Sequence, residues 1–418
     1  MRKSILNTAM ASSLVLFSVQ AGAASLISID PRSFAMGGVG VASGTSANAG
    51  FVNPALLAAA QDKEDFSVEF PIIYGRLADP DDLVEAVDDI AEDDLVSEFD
   101  QALDAFNAAP LVNRVSGPEK TALINATRDL IGALESVSDK ALLGEGGAAF
   151  VVGIPSKEWG VSVQAAGWVV GGGFAKFTDE DAVFFNGVVD QLEANDPAII
   201  LNPVDTDTMN SYVEGRLGAI MEFGVSFARE FNVAGENVAF GVTPKYVEVA
   251  TYDYQFVGNE LDSADINVDE GEKTYSDFNV DFGVAKDFEN GWKGGLVVKN
   301  LISQEYETVR GNKIEIAPQA RAGISHQNEW VAVAFDADLN AADPVGFESE
   351  TQYIGLGAEL DIFDTAQLRL GYRHNLKDSD TSVPTVGIGL SPFGVHIDLA
   401  LAANDDEVAF SGQLGFRF

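Results

Sequence analysis

From Phe66 to the end of the chain, apolar residues return at every second position in one segment after another. Leu217, Ala219, Met221, Phe223, Val225 and Phe227 make one such face, and Ile354, Leu356, Ala358, Leu360 and Ile362 another. A period of two marks strands with one apolar face. Near the start of the series, Phe66, Val68, Phe70, Ile72 and Tyr74 read as a single face in the same way. At its end, Phe410, Leu414, Phe416 and Phe418 lie opposite Ser411, Gln413 and Arg417, so the alternation runs to the last residue. The intervening positions carry charge in mid-strand: Glu222, Asp281, Asp336, Asp338, Glu359, Asp361, Arg369, Arg373 and His396. Such charges suit a barrel that is apolar outside and wet inside, and these residues are expected to line its lumen. A two-sheet sandwich with its apolar faces meeting would produce the same alternation.

Connection lengths separate the two. The pattern predicts about fourteen strands, over 66–75, 146–154, 159–171, 212–231, 237–256, 273–288, 292–307, 314–326, 330–340, 351–362, 366–376, 384–391, 394–402 and 407–418. Every second connection is tight, as at 155–158, 289–291, 327–329 and 363–365, while the others are longer and more acidic. An even count with short connections on one side and long ones on the other is the layout of an antiparallel transmembrane β-barrel. Trp159, Trp292 and Trp330 each open a strand after a tight turn, where an aromatic membrane-interface girdle is expected. Tyr252, Tyr254 and Tyr306 lie near the opposite strand ends. The expected fold is all-β, a fourteen-stranded antiparallel transmembrane barrel over residues 65–418.

Residues 76–145 depart from the period of two and read as an acidic, helical outer loop. Between 79 and 104 there are twelve Asp or Glu and no Lys or Arg, yet Leu83, Val87, Ile90, Leu95, Phe99, Ala102 and Phe106 keep helical spacing. Leu123, Thr127, Leu130, Leu134, Val137 and Ala141 step by fours and threes in a second amphipathic helix. Residues 178–195 repeat the idea on a smaller scale, and their Phe184 and Phe185 are candidate ligand contacts. The plainer reading is a solvated acidic loop whose helices pack on one another.

Residues 1–24 have the form of a signal peptide: a basic start, an apolar stretch and Ala21-Gly22-Ala23 as the cleavage site. The stretch is about 15 residues long, too short for a spanning helix of roughly 20. With no cysteine, disulfides, thiol catalysis and thiolate metal sites are excluded. A formal charge of −40 excludes a nucleic-acid partner. Asp205-Thr206-Asp207 falls short of a calcium loop, so no metal and no cofactor is expected. No Gly-x-Ser-x-Gly elbow is present, and His326, His374 and His396 are the only histidines, so no catalytic residues and no enzyme are expected.

Ahead of the first strand, Ser33-Phe34-Ala35-Met36-Gly37-Gly38-Val39-Gly40 leads to Asn53-Pro54-Ala55. This glycine-rich start with an Asn-Pro-Ala box resembles the N-terminal region of FadL-type outer-membrane transporters. The resemblance implies that residues 25–64 form a hatch inside the barrel, with Phe34, Asn53 and Pro54 as hatch and ligand residues. It also implies uptake of a hydrophobic small molecule. With Gly295-Leu296-Val297-Val298-Lys299-Asn300-Leu301, the same start is also similar to an exported group labelled TraF-like conjugal transfer protein. That label implies the alternative, a non-transporting structural or assembly component of a conjugation or secretion system. The C-terminal Phe416 and Phe418 resemble the assembly signal of bacterial outer-membrane barrels. They imply the barrel assembly machinery and outer-membrane lipids as partners, in a Gram-negative outer membrane with both termini periplasmic.

Overall fold

The computed structural model describes residues 28–59, 66–204, 209–258, 271–343, 345–363 and 365–417. The expected signal peptide, Asp205-Thr206-Asp207 and Phe418 lie outside the described residues. The first seven barrel strands are β1 (Ser67–Ala78), β2 (Lys140–Ile154), β3 (Gly160–Lys176), β4 (Tyr212–Val233), β5 (Glu236–Val257), β6 (Glu272–Asp287) and β7 (Trp292–Lys299). After a separate hairpin of β8 (Gln304–Glu307) and β9 (Lys313–Ile316), the barrel resumes with β10 (Gln319–Gln327), β11 (Val331–Asp338) and β12 (Tyr353–Ile362). It ends with β13 (Ala366–Asn375), β14 (Val383–Leu390), β15 (Val395–Ala403) and β16 (Glu407–Arg417). Each of the fourteen pairs antiparallel with its neighbours, and β16 closes on β1, Phe410 opposite Gly75. Closure leaves no open edge.

Strand parity sorts the residues between the two faces of the wall. Phe278, Leu356, Leu370 and Leu399 point outward and are more than half exposed. Asp281, Asp336, Asp338, Glu359, Arg369, Arg373 and His396 point inward and are buried. Glu222 is half-buried on the same inner side, and Asp361 is half-buried at the short-turn end of β12.

Three expectations need correction. The β1 face does not run straight through: a bulge between Glu69 and Ile72 shifts the register, leaving Phe70 and Ile73 outside and turning Ile72 and Tyr74 inward. The strands expected at 292–307 and 314–326 are shorter, ending at Lys299 and beginning at Gln319. The residues between them form the β8–β9 hairpin, which folds back onto the inner wall. Its Tyr306, Ile314 and Ile316 pack against Val170, Ile220, Val247 and Val249. Tyr306 is therefore fully buried and takes no part in an outer girdle.

The two predicted helical insertions form one cap. Helices Leu95–Ala108 and Pro118–Val137 of the first long loop share a core with helix Asp179–Ala194 of the second. Phe99 meets Phe185 edge-on at 5.8 Å. At the other end of the barrel, Trp159, Trp292 and Trp330 stand exposed beside the short turns. Phe288, Phe363 and Phe393, at the turns themselves, join them. The fourth tryptophan, Trp168, faces inward.

Candidate functional site

Residues 28–59 fill the barrel interior. The chain enters as helix Pro31–Ala35, begun by Pro31 at its first position and capped by the Asp30 side chain, which accepts from Ser33 N at 3.0 Å. Two short helices, Ala49–Val52 and Leu56–Ala59, follow. Segments this short do not hold themselves together. Their position is set by bonds to the wall.

On the β12–β15 side the bonds are ionic. Arg32 donates from Nε to Glu359 Oε2 at 3.0 Å and from Nη2 to Oε1 at 2.8 Å. Glu359 Oε2 also accepts from Arg369 Nε at 2.6 Å. Arg369 reaches on to Asp398, whose Oδ2 accepts from Gln413 Nε2 at 3.0 Å. Burial pulls the Arg32 guanidinium down, but Glu359 outweighs it and holds Arg32 above its ordinary value. Beside this latch, Asp336 Oδ2 accepts from the backbone N–H groups of Gly40 (2.7 Å) and Val41 (2.9 Å). Thr385 Oγ1 donates to Ala35 O at 2.8 Å. Phe34 packs with Val383 and Ala400 in a small apolar cluster.

On the β5–β7 side the hold is close packing around the Asn-Pro-Ala box. Asn53 is fully buried, and its Nδ2 donates to Val41 O (2.8 Å) and Val284 O (3.2 Å). Its Oδ1 accepts from Ala55 N at 3.1 Å. The box lies so close to the wall that a Cβ at Gly283 would sit 2.0 Å from Asn53 Oδ1, and one at Gly241 would sit 2.3 Å from Ala55 N. Asn53→Ala leaves the buried Val41 carbonyl and the partly buried Val284 carbonyl without that donor, a loss of about 1–3 kcal/mol. Hydrogen exchange is expected to rise across 41–59 in that variant, with the strand amides unchanged.

The third side, facing β1–β4, is not filled. A cavity of about 90 Å³ remains, bounded by Ile29, Phe51, Trp168, Glu145, Lys245 and Lys299 among others. Lys299 Nζ donates to Phe51 O at 2.7 Å, and Lys245 pairs with Glu222 and Asp281, each at 3.0 Å.

Directly outside the same stretch of wall is a groove of about 740 Å³. Register explains it. Phe410, Gly75, Gly146, Val169, Ala219, Ala250 and Thr274 are successive partners across β16 and β1–β6 on the outward face. A row of mostly Gly and Ala between larger neighbours leaves a channel along the wall. Glu145 borders both the groove and the inner cavity, and accepts a hydrogen bond from Tyr74 OH at 2.7 Å.

The expected site residues thus fall into separate places. Phe34, Asn53 and Pro54 belong to the segment inside the barrel, and Asp336, Glu359 and Arg369 bind it to the wall. Asp338 pairs with Arg321 at 2.5 Å, and Arg373 with Glu407 at 2.6 Å. His396 Nδ1 lies 2.7 Å from Ser391 Oγ, and His374 Nδ1 lies 2.8 Å from Ser382 Oγ. Phe185 is core of the cap, and only Phe184 keeps an exposed ring. Two features escaped the sequence reading: Arg32, the only base between residues 25 and 62, and the small-residue row. A lone cation in a glycine-rich segment was the available signal for the first. The second needs strand register, which no single strand carries.

Residues 50–338 match the model of a protein family described as "F plasmid transfer operon, TraF, protein". No curated protein matches the sequence. Among solved structures, the toluene transporter TbuX of Ralstonia pickettii is 12% identical with a TM-score of 0.51, covering 94% of this chain and 99% of its own. The toluene transporter TodX of P. putida is also 12% identical, with a TM-score of 0.50 and coverage of 94% and 99%. The monoaromatic hydrocarbon channel CymD is 13% identical, with a TM-score of 0.52 and coverage of 95% and 99%. The likeness is one of fold, a FadL-type barrel.

Proposed function

The chain belongs to the family described as F plasmid transfer operon, TraF, protein, and we propose that it is an outer-membrane conduit through which hydrophobic small molecules are taken up. One observation carries this reading. The groove outside the wall and the cavity inside it back onto the same thin, glycine-rich stretch of β2, with Glu145 common to both. A hydrophobic molecule collected on the long-loop side settles in the groove, passes the wall beside Gly146 and Gly147, and enters the cavity above Phe51. The hatch then decides whether it proceeds. The barrel interior is otherwise occupied by the hatch and the β8–β9 hairpin, which argues against a passive water-filled pore. The likeness of fold to hydrocarbon transporters supports the same reading.

The test is uptake of a neutral fluorescent hydrophobe, N-phenyl-1-naphthylamine, by outer-membrane vesicles with and without the protein. Faster, saturable uptake with it is expected; identical rates would remove transport. The family description favours a second reading, a structural part of a transfer apparatus that carries nothing. In that case deletion lowers conjugation frequency and leaves probe uptake untouched.

We also propose that the outward face meets lipid, with the tryptophan rim and both termini on the periplasmic side. Leu370→Arg, in the middle of that face, is then expected to destabilise the barrel by about 2–4 kcal/mol. Unfolding in vesicles, followed by heat-dependent gel migration, reads this directly. An unchanged midpoint would contradict a lipid-facing wall.

A further inference from the structure

The wall groove is apolar along its floor but not at both ends, and a selectivity built into it rests on the uptake proposed for it. One end is closed by Leu77, Val408 and Phe410, and Gly75, Gly146 and Gly167 lie beneath. None of these side chains offers a hydrogen bond. The other end is built by β5 and β6, where Glu248, Tyr252, Glu272 and Thr274 line the groove. Glu248 stands on the outward face, register partner of Met221 on one side and Ser276 on the other. It is half-buried, and among the described residues it has no hydrogen-bond or ion-pair partner. Glu272, opposite Tyr252 in register, accepts a hydrogen bond from Thr274 Oγ1 at 3.0 Å.

An acidic side chain turned outward and half-buried beside Met221 and Ala250, with no partner among the described residues, is unfavourable unless something meets it. From this we infer that the groove receives hydrophobic molecules ending in a hydrogen-bond donor, a hydroxyl or an amine, and rejects those ending in a carboxylate. The apolar body lies along the Gly75–Gly146–Ala219 row, and the donor head reaches Glu248 and Glu272. A carboxylate head would bring a like charge to two acids in a half-desolvated place and would leave the Glu248 acceptors unmet. The sign is the same in the cap on the long-loop side. Residues 79–139 and 177–204, which form the cap, hold twenty-two Asp or Glu against three Lys or Arg. At the wall itself Glu145 borders both sides, with Arg76 beside it at the groove, and the inner cavity carries both signs, Lys245, Lys299 and Arg321 with Glu222 and Asp336.

The experiment uses the full-length protein in vesicles, with N-phenyl-1-naphthylamine as the bound reporter. Three probes of equal chain length compete for it at pH 7.5: 1-decanol, decylamine and decanoate. Decanol and decylamine are expected to displace the reporter at concentrations about tenfold lower than decanoate, a gap of about 1.4 kcal/mol. In the Glu248→Gln, Glu272→Gln variant the gap is expected to shrink to about threefold or less. Glu248→Lys is expected to reverse the order in favour of decanoate. Heat-dependent gel migration confirms that each variant is folded. Decanoate competing as well as decanol in the unaltered protein, with reporter uptake intact, overturns the selectivity and leaves uptake standing. A gap that persists in both variants also overturns it. No reporter uptake at all overturns selectivity and uptake together.

Discussion

Glu359→Ala is expected to free the hatch from the β12–β15 wall while the barrel stays closed. The carboxylate is the middle member of a buried chain, with Arg32 on one side and Arg369 on the other. Removing it leaves the two cations unequal. Arg369 keeps Asp398, but among the described residues Arg32 keeps only the Ser43 carbonyl as a hydrogen-bond partner. Removing one member of a buried pair is destabilising by about 3–5 kcal/mol, because the remaining charge is stranded. That penalty falls on the hatch. The strands on either side remain joined by their own ladders, with Leu370 still opposite Ala358 and Val386. The loss is therefore local, and hydrogen exchange over 31–42 is expected to quicken by about two to three orders of magnitude with the β12–β15 amides unchanged. Arg32→Met combined with Glu359→Ala removes both charges of the lost pair and is expected to restore most of the protection. Unchanged exchange in Glu359→Ala would mean that the hatch is held by packing and backbone bonds, and that the ionic chain is incidental.

Much of the barrel was legible from alternation alone, because strand parity and membrane-barrel layout act on every residue of a strand. Most of the strand positions come directly from runs such as Ile354 to Ile362. The failures share one cause. The bulge at Phe70–Pro71 inserts a residue into β1 without any break in its apolar composition, so the face swaps invisibly. Likewise Tyr306 and Ile314 alternate like wall residues, since a hairpin lying on the inner wall needs the same period as the wall beneath it. The inward charges were legible as a set. Their partners were not, because pairing Glu359 with Arg32 spans most of the chain. The cap shows the reverse case. Helical spacing in 83–106 and 123–137 marked its helices clearly, whereas the shared core with Phe185 and Leu192 arises only when two loops meet above one barrel.

The groove offers the sharpest single substitution. Gly146→Phe is expected to abolish most uptake, by about tenfold or more, in a barrel as stable as the parent. Gly146 faces outward between Gly75 and Val169, and a Cβ there would find nothing closer than Tyr74 O at 3.5 Å, an ordinary contact. A ring therefore projects into the groove without moving the backbone, and β-sheet favours it over glycine. Its neighbour is the control. A Cβ at Gly147, on the inward face, would lie 2.5 Å from the Trp168 Cβ and 2.6 Å from Gly167 O, so Gly147→Ala must displace the wall itself. Gly147→Ala is accordingly expected to lower the unfolding midpoint, and Gly146→Phe is not. If the route ran down the barrel axis past the hatch instead, filling the groove would change nothing, and Gly146→Phe would take up N-phenyl-1-naphthylamine at the parental rate. Blocked uptake with an unshifted midpoint separates passage through the wall from any general loss of the fold. That outcome would make the row of small residues across β1–β5 the feature that turns a plugged barrel into a conduit.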